Sequence, residues 1–191
     1  LAGIVTIPIG CIAGGLVAMN SGITVGGQPV VFTIGMTLIN VIPVLICSVV
    51  DDPELVGEVF KRIGGLHISA VRQLSTMPFI GALRQGDDLG FKTSTFLSPE
   101  LLREHVFPIY KRMVAHALEQ NKPFILHSCG NLAEVYEDLI EDCNIDAKHS
   151  FEDIILPVSE FKKQYGSRVT ALGGLDVDVI CRSTVEEVRA Y

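Results

Sequence analysis

The first fifty residues contain no Asp, Glu, Lys, Arg or His. All 15 basic and 22 acidic residues fall in 51–191, about a quarter of that stretch and an ordinary globular share. At the chain-wide charged fraction of 19%, an uncharged run of this length would arise by chance roughly a few times in 10⁵. Scatter is therefore excluded, and the composition divides the chain between Val50 and Asp51 into segments 1–50 and 51–191. A basic patch with interleaved aromatics is also lacking. With a net charge of −7, that excludes an electrostatic nucleic-acid binder. The five cysteines (Cys11, Cys47, Cys129, Cys143, Cys181) are odd in number and scattered, which excludes a disulfide framework and points to a reducing compartment. An initiator Met and a basic leader are missing too, so Leu1 reads as an internal position rather than the start of a signal peptide.

What the first segment does contain is two uncharged apolar runs, 1–19 and 30–50, separated by the turn-rich NSGITVGGQP. Runs of about 20 apolar residues match a bilayer core. Gly3, Gly10, Ala13, Gly14, Gly15 and Ala18 suit close helix packing in lipid, and Pro8 and Pro43 are tolerated in membrane helices. The alternative is a set of buried parallel strands, because GIVTIPI, PVVFTI and PVLICSVV are rich in β-branched residues. LAGIVTIPIGCIAGGLVAMNSG followed by GQPVVFTIGMTLINVIPVLI resembles an internal hairpin of the ethanolamine-utilisation membrane protein (ethanolamine permease) family. That resemblance implies an apolar helical hairpin, possible membrane association and a link to ethanolamine transport. It stops where the charges begin, and it carries no transport residue.

The second segment alternates. Asp52–Ser75 is amphipathic, with Leu55, Val59, Ile63, Leu66 and Val71 near helical spacing. A short apolar run, Pro78–Leu83, leads to Asp87 and Asp88. Ser98-Pro99-Glu100 starts a helix that runs to about Gln120, with Ser as cap and Pro at the first position. The strand Pro123–Leu126 ends at His127-Ser128-Cys129-Gly130. A helix over Asn131–Cys143 precedes the strand Ile145–Ala147 and His149. A helix over Ile154–Tyr165 precedes the strand Val169–Leu172 and Gly173-Gly174-Leu175-Asp176. Ser183 and Glu186 then form a capping box for a last helix. Alternation at this spacing predicts α/β structure with parallel strands. In such folds polar side chains at the carboxyl ends of the strands carry the chemistry, here Asp87/Asp88, His127/Cys129, His149/Glu152 and Asp176.

These residues carry a second resemblance. DDPELVGEVFKRIGG, QGDDLGFKTSTFLSPELLREHVFPIYKRMVAHALEQNKPFILHSCGN and GGLDVD with TVEEVR are similar, in order and spacing, to the uroporphyrinogen decarboxylase and cobalamin-dependent methyltransferase superfamily. The resemblance implies the C-terminal half of a (β/α)8 TIM-type barrel. HSCG looks like the His-x-Cys metal motif of the methyltransferase branch, in which zinc activates an acceptor thiol and a corrinoid supplies the methyl group. The partner would be a small molecule or a corrinoid protein. The decarboxylases of tetrapyrrole biosynthesis are the alternative, but their arginine-bearing N-terminal segment and catalytic aspartate precede the matched region. As a fragment the chain is expected to lack activity. Residues 51–191 are expected in the cytoplasm, with membrane association resting on 1–50.

The resemblance makes His127 and Cys129 candidate metal ligands. In an extended segment residues i and i+2 also face the same way, and imidazole and thiolate are ordinary zinc ligands. The opposing reading is a pair of pocket-lining polar residues. The third ligand would come from further downstream, since Cys143 and Cys181 match no motif. Asp88 is the candidate catalytic residue, with Asp87, His149 and Asp176 as candidate substrate-binding residues. Equally, Asp87 and Asp88 could bond loop amides, His149 could be a satisfied strand-end histidine, and Asp176 could cap the next helix. His67, His105 and His116 fall on predicted helices as packing or surface residues.

Overall fold

The computed structural model describes residues 3–8, 24–25, 28–29 and 48–191. Asp52 accepts a hydrogen bond from the Leu55 amide at 3.0 Å, and Pro53 fills the first turn, so α1 spans Pro53–Ser75. Its inner stripe (Val56, Ile68, Val71, Leu74) is buried, each side chain contributing about 1.5–3 kcal/mol by leaving water. Gly64 lets α1 lie close to the next helix: a Cβ there would fall 2.3 Å from Cδ1 of Ile109.

The helix expected over 98–120 begins as read. Ser98 accepts from the Leu101 amide, opening α2 (Pro99–Leu101). It then widens into a π-turn over Leu102–Val106 before α3 (Phe107–Glu119). Pro108 accounts for the widening: it donates no amide, and its ring would strike the carbonyl four residues back. The helix expected over 131–143 is present from Ala133 to Asp142, but it opens as a 3₁₀ turn, Ala133–Val135, and closes as a second π-turn, Asp138–Asp142. Pro157 delays the next helix, α4, to Val158–Tyr165. After α5 (Val177–Arg182), the capping box of α6 (Val185–Ala190) is Thr184 with Glu187, not Ser183 with Glu186. The Ser183 amide is still bonded to the Val179 carbonyl as the cap of α5, which moves the new start by one residue.

Among the described residues, β1 (Gly3–Pro8), β4 (Ile80–Gly86), β5 (Phe124–His127), β6 (Ala147–His149) and β7 (Thr170–Leu172) form one sheet in that order. All neighbours are parallel. β2 (Thr24–Val25) and β3 (Gln28–Pro29) make a separate antiparallel pair. The four strands expected in 51–191 are thus parallel and adjacent, as read.

The helical hairpin expected over 1–50 is corrected at its start. Gly3–Pro8 is a strand registered beside β4, from Ile4 opposite Ala82 to Pro8 opposite Gly86. Its β-branched composition suits a strand, and pairing satisfies backbone groups that β4 would otherwise leave open. The remainder of that expected hairpin, beyond β1, β2 and β3, lies outside the described residues up to 47. No described helix is long and apolar enough to cross a membrane.

Alternation along the strands separates two apolar layers. Ile80, Leu83, Phe124 and Leu126 join the helix side chains in the main core. Ala82, Ile125 and Ala147, with Leu172 against them, line the other face.

Candidate functional site

Parallel strands carry their carboxyl ends to one edge of the sheet. The segments following β4, β5 and β6 meet there through the backbone. The Asp87 amide bonds the His127 carbonyl at 2.9 Å, the Gly90 amide the Cys129 carbonyl at 3.3 Å, and the Ser128 amide the His149 carbonyl at 3.3 Å. The buried Ser128 hydroxyl accepts from the Leu89 amide at 3.0 Å.

On this frame Asp88, His127 and Cys129 converge, with one ligand atom from each lying within 4.8 Å of the others. His127 Nε2 is 3.7 Å from Cys129 Sγ and 3.9 Å from Asp88 Oδ1. Asp88 Oδ1 also accepts from the Cys129 amide at 3.2 Å. The Asp88 side chain is 42% exposed, so the group opens to solvent. Burial, then the charge of Arg84, holds His127 down to about 4, and it is neutral at pH 7. Burial raises the Cys129 thiol above its ordinary range.

His149 stands on the far side of His127. The two Nδ1 atoms are 2.6 Å apart and the ring centroids 4.9 Å apart. Burial, then Arg84, also lowers the His149 pKa. Cys129 Sγ meets the Ser150 hydroxyl at 3.2 Å. Ser150 holds a positive φ of 77°, a conformation that a non-glycine residue keeps only when its surroundings enforce it. The enforcing group is Lys148, whose buried ammonium bonds the Ser150 carbonyl, bonds the Ser128 carbonyl at 3.0 Å and lies 4.4 Å from the Phe151 ring centroid. Burial lowers its pKa to about 8. Glu152 accepts from the Gly130 amide at 3.0 Å.

The other candidates stand apart from the trio. Asp87 turns towards the helix layer, where Oδ2 accepts from the Tyr110 hydroxyl at 2.7 Å. The residue is only half-buried overall, yet desolvation of its carboxyl raises its pKa to about 7. Asp176 caps α5, accepting from the amides of Asp178 at 2.8 Å and Val179 at 3.4 Å. Cys143 is buried with its thiol towards the Phe107 carbonyl, and Cys181 is exposed.

Four contributors escaped the sequence reading: Asp88 as a possible metal ligand, Ser150, Lys148 and Arg84. Lys148 left a trace, since in AKHS it occupies the strand position that faces the helix layer, where a charge needs a reason. Ser150 left none, because a positive φ at serine has no composition signal.

The three donors fit zinc. With ordinary bond lengths, a tetrahedral ion sets its nitrogen and sulfur ligands about 3.6 Å apart and nitrogen and oxygen about 3.3 Å apart. The observed 3.7 and 3.9 Å need only small closure. One imidazole, one thiol and one carboxylate leave a fourth position for an exchangeable ligand.

Comparison with known proteins gives two matches of different kinds. Over 70 residues the chain is 57% identical to the probable ethanolamine permease EutH of Salmonella typhimurium and 56% identical to that of Escherichia coli. Each match covers 37% of this chain and 17% of the permease, so the chain spans about a sixth of these relatives. No solved structure matches. The family model for uroporphyrinogen decarboxylase (URO-D) matches residues 52–191, beginning next to the composition break. The strand-end HSCG and the parallel units around it lie within that match, and the chain belongs to the uroporphyrinogen decarboxylase family.

Proposed function

We propose that residues 51–191 form consecutive units of a (β/α)8 barrel from the methyltransferase branch of the family, with 1–50 as a separate segment. The observation that carries this is the convergence of Asp88, His127 and Cys129 at the carboxyl ends of β4 and β5. These residues would hold zinc, which when bound lowers the proton affinity of a substrate thiol and keeps it nucleophilic at neutral pH. The chain's own residues set the conditions. His127 offers a neutral ring, and Ser150 and Lys148 hold the loop that carries Cys129. The exposed side of Asp88 leaves access for a small thiol. A corrinoid is the proposed methyl donor. When bound it would supply the methyl group, while Asp88, His127 and Cys129 would hold the acceptor thiol in place.

Titration with Co²⁺ tests this reading. The expected result is one equivalent bound, with a thiolate-to-metal absorption band that disappears in Cys129→Ala and shifts when a small thiol is added. A chain that binds no cobalt, or binds it equally after Cys129→Ala, overturns the zinc reading.

A porphyrinogen decarboxylase is the second reading. It is favoured by Asp87, whose carboxyl titrates near neutrality as a group returning a proton to carbon should. Release of CO₂ from a uroporphyrinogen that is lost in Asp87→Asn would select it. The permease relatives support a third, ethanolamine transport; their 70-residue match is longer than segment 1–50, so the resemblance does not stop where the charges begin, and its test is ethanolamine uptake.

A further inference from the structure

The geometry points to His149 as a positioning residue that fixes the tautomer of His127, leaving the His127 Nε2 lone pair facing Cys129 and Asp88. This rests on the zinc reading above and replaces a substrate-binding role for His149. The argument begins with the 2.6 Å contact between the two Nδ1 atoms. A hydrogen bond of that kind needs one nitrogen bearing hydrogen and one bearing a lone pair. If His127 donates, its Nε2 carries the lone pair; if His149 donates, His127 Nε2 carries the hydrogen and is closed to a metal.

The surroundings select the first arrangement. Cys129 Sγ, 3.7 Å from Nε2, is a thiol and can donate to a lone pair there. The Ser150 hydroxyl is placed to donate to the same sulfur. Asp88 Oδ1 at 3.9 Å is beyond hydrogen-bond length and already accepts from the Cys129 amide, so it does not hold a hydrogen on Nε2. A continuous chain results, Ser150 to Cys129 to His127 to His149. It is the pattern expected of a metal-ligating histidine, whose second nitrogen donates to an outer partner. Here the partner is another imidazole. The register supports the pairing, because His127 on β5 is directly opposite His149 on β6. Gly173 lies beside the His149 ring, a Cβ there falling at an ordinary contact distance of 3.6 Å, and its φ of +102° suits glycine.

The test uses the full chain in two states. In the metal-free protein at pH 7, long-range ¹⁵N–¹H spectra should show His127 protonated at Nδ1. His149→Asn, whose amide oxygen can accept in place of Nδ1, should keep that form, whereas His149→Phe should shift His127 towards the Nε2-protonated form. In Co²⁺ titrations, His149→Phe should weaken binding about 10–100-fold, and His149→Asn should recover most of the loss. An Nε2-protonated His127 in the unaltered chain overturns the proposal. So does a His149→Phe variant, folded by amide spectra, with unchanged tautomer and affinity. If His149→Phe does not fold, the unaltered chain and His149→Asn still decide the tautomer. Failure of the unaltered chain to bind cobalt overturns the zinc reading, and the metal-free spectra still decide what His149 does to His127.

Discussion

Gly90 and Gly130 meet backbone to backbone. A Cβ on Gly130 would lie 2.2 Å from the Gly90 carbonyl, and Gly130 holds a φ of +80° that a side chain disfavours. The contact brings the segment after β4 against the segment after β5, and so brings Asp88 to Cys129. Replacing Gly130 with Ala should destabilise the fold by about 2–4 kcal/mol, from the clash and the strain together. Gly65→Ala is the control. It lies in α1 with open space around it and should be neutral or stabilising by up to about 1 kcal/mol. Urea unfolding of the two variants checks both.

Metal affinity should depend on Asp88 and Cys129 and ignore Cys181. Asp88→Ala and Cys129→Ala should each weaken Zn²⁺ binding at least about 100-fold, because a zinc site with one open position still rests on three protein ligands. Cys181→Ser, at an exposed cysteine outside the group, should leave it unchanged. Competition with a zinc indicator dye measures all three.

Asp87 should make the protein less stable as pH rises. Its folded pKa of about 7 lies above the ordinary value of 3.8, with desolvation the largest cause. The folded state therefore holds the proton more tightly than the unfolded chain. The stabilisation is complete below the unfolded value and is lost as pH climbs towards 7. Asp87→Asn keeps an acceptor for the Tyr110 hydroxyl without a charge to bury, and should be more stable than the parent at pH 8 by roughly 2–4 kcal/mol. Unfolding free energies at pH 4 and pH 8 test the difference.

His67 runs the other way. It is buried in α1, and desolvation lowers its pKa from 6.5 to about 4. The unfolded chain takes up a proton that the folded state refuses, so stability falls as pH drops from about 6.5 to 4, by roughly 3 kcal/mol in all. His67→Gln should flatten that interval. A parent and variant with parallel pH profiles would refute the assignment.

Lys148→Met should separate two roles of one ammonium. Loss of its bonds to the Ser128 and Ser150 carbonyls leaves buried acceptors unmatched and should cost about 1–3 kcal/mol at pH 7. The folded pKa of about 8 lies below the ordinary 10.5 because of burial. The parent should therefore gain stability between pH 8 and 10.5 as the buried charge disappears, and the Met variant should lack that gain. Denaturation midpoints across this interval provide the measurement.

Order and direction of the strands in 51–191 could be read from the sequence because each βα unit carries its own punctuation, such as Ser98-Pro99 before one helix and Gly166 after another. Interruptions were harder to read. The π-turn before Pro108 and the late start after Pro157 follow from the missing amide of proline, whose effect depends on how neighbouring carbonyls are met. β1 falls inside the expected helical hairpin because the run 1–19 has the length of a bilayer core and resembles a membrane hairpin, while its β-branched residues carry the strand signal. In the site, the meeting of His127 with Cys129 follows from i, i+2 spacing. The approach of Asp88 depends on two glycines forty residues apart touching, and no local pattern encodes that. Asp176 shows the opposite case: of its two readings, substrate binding and helix capping, the structure shows the cap, with the amides of α5 engaging its carboxylate.

The order β1-β4-β5-β6-β7 also bears on how the chain assembles. From β4 to β7 every strand pairs with the next one made, so each unit can dock on its predecessor as synthesis proceeds, across the crossovers 87–123, 128–146 and 150–169. β1 must instead wait for β4, across a span in which, among the described residues, β2 and β3 pair with each other. Its closure entropy is larger, by about 0.6 kcal/mol for each doubling of loop length, and nonlocal pairing slows folding. The free edge of β4 should therefore be the last part of the sheet to be covered, and the place where another chain's strand could compete with β1 before folding is complete.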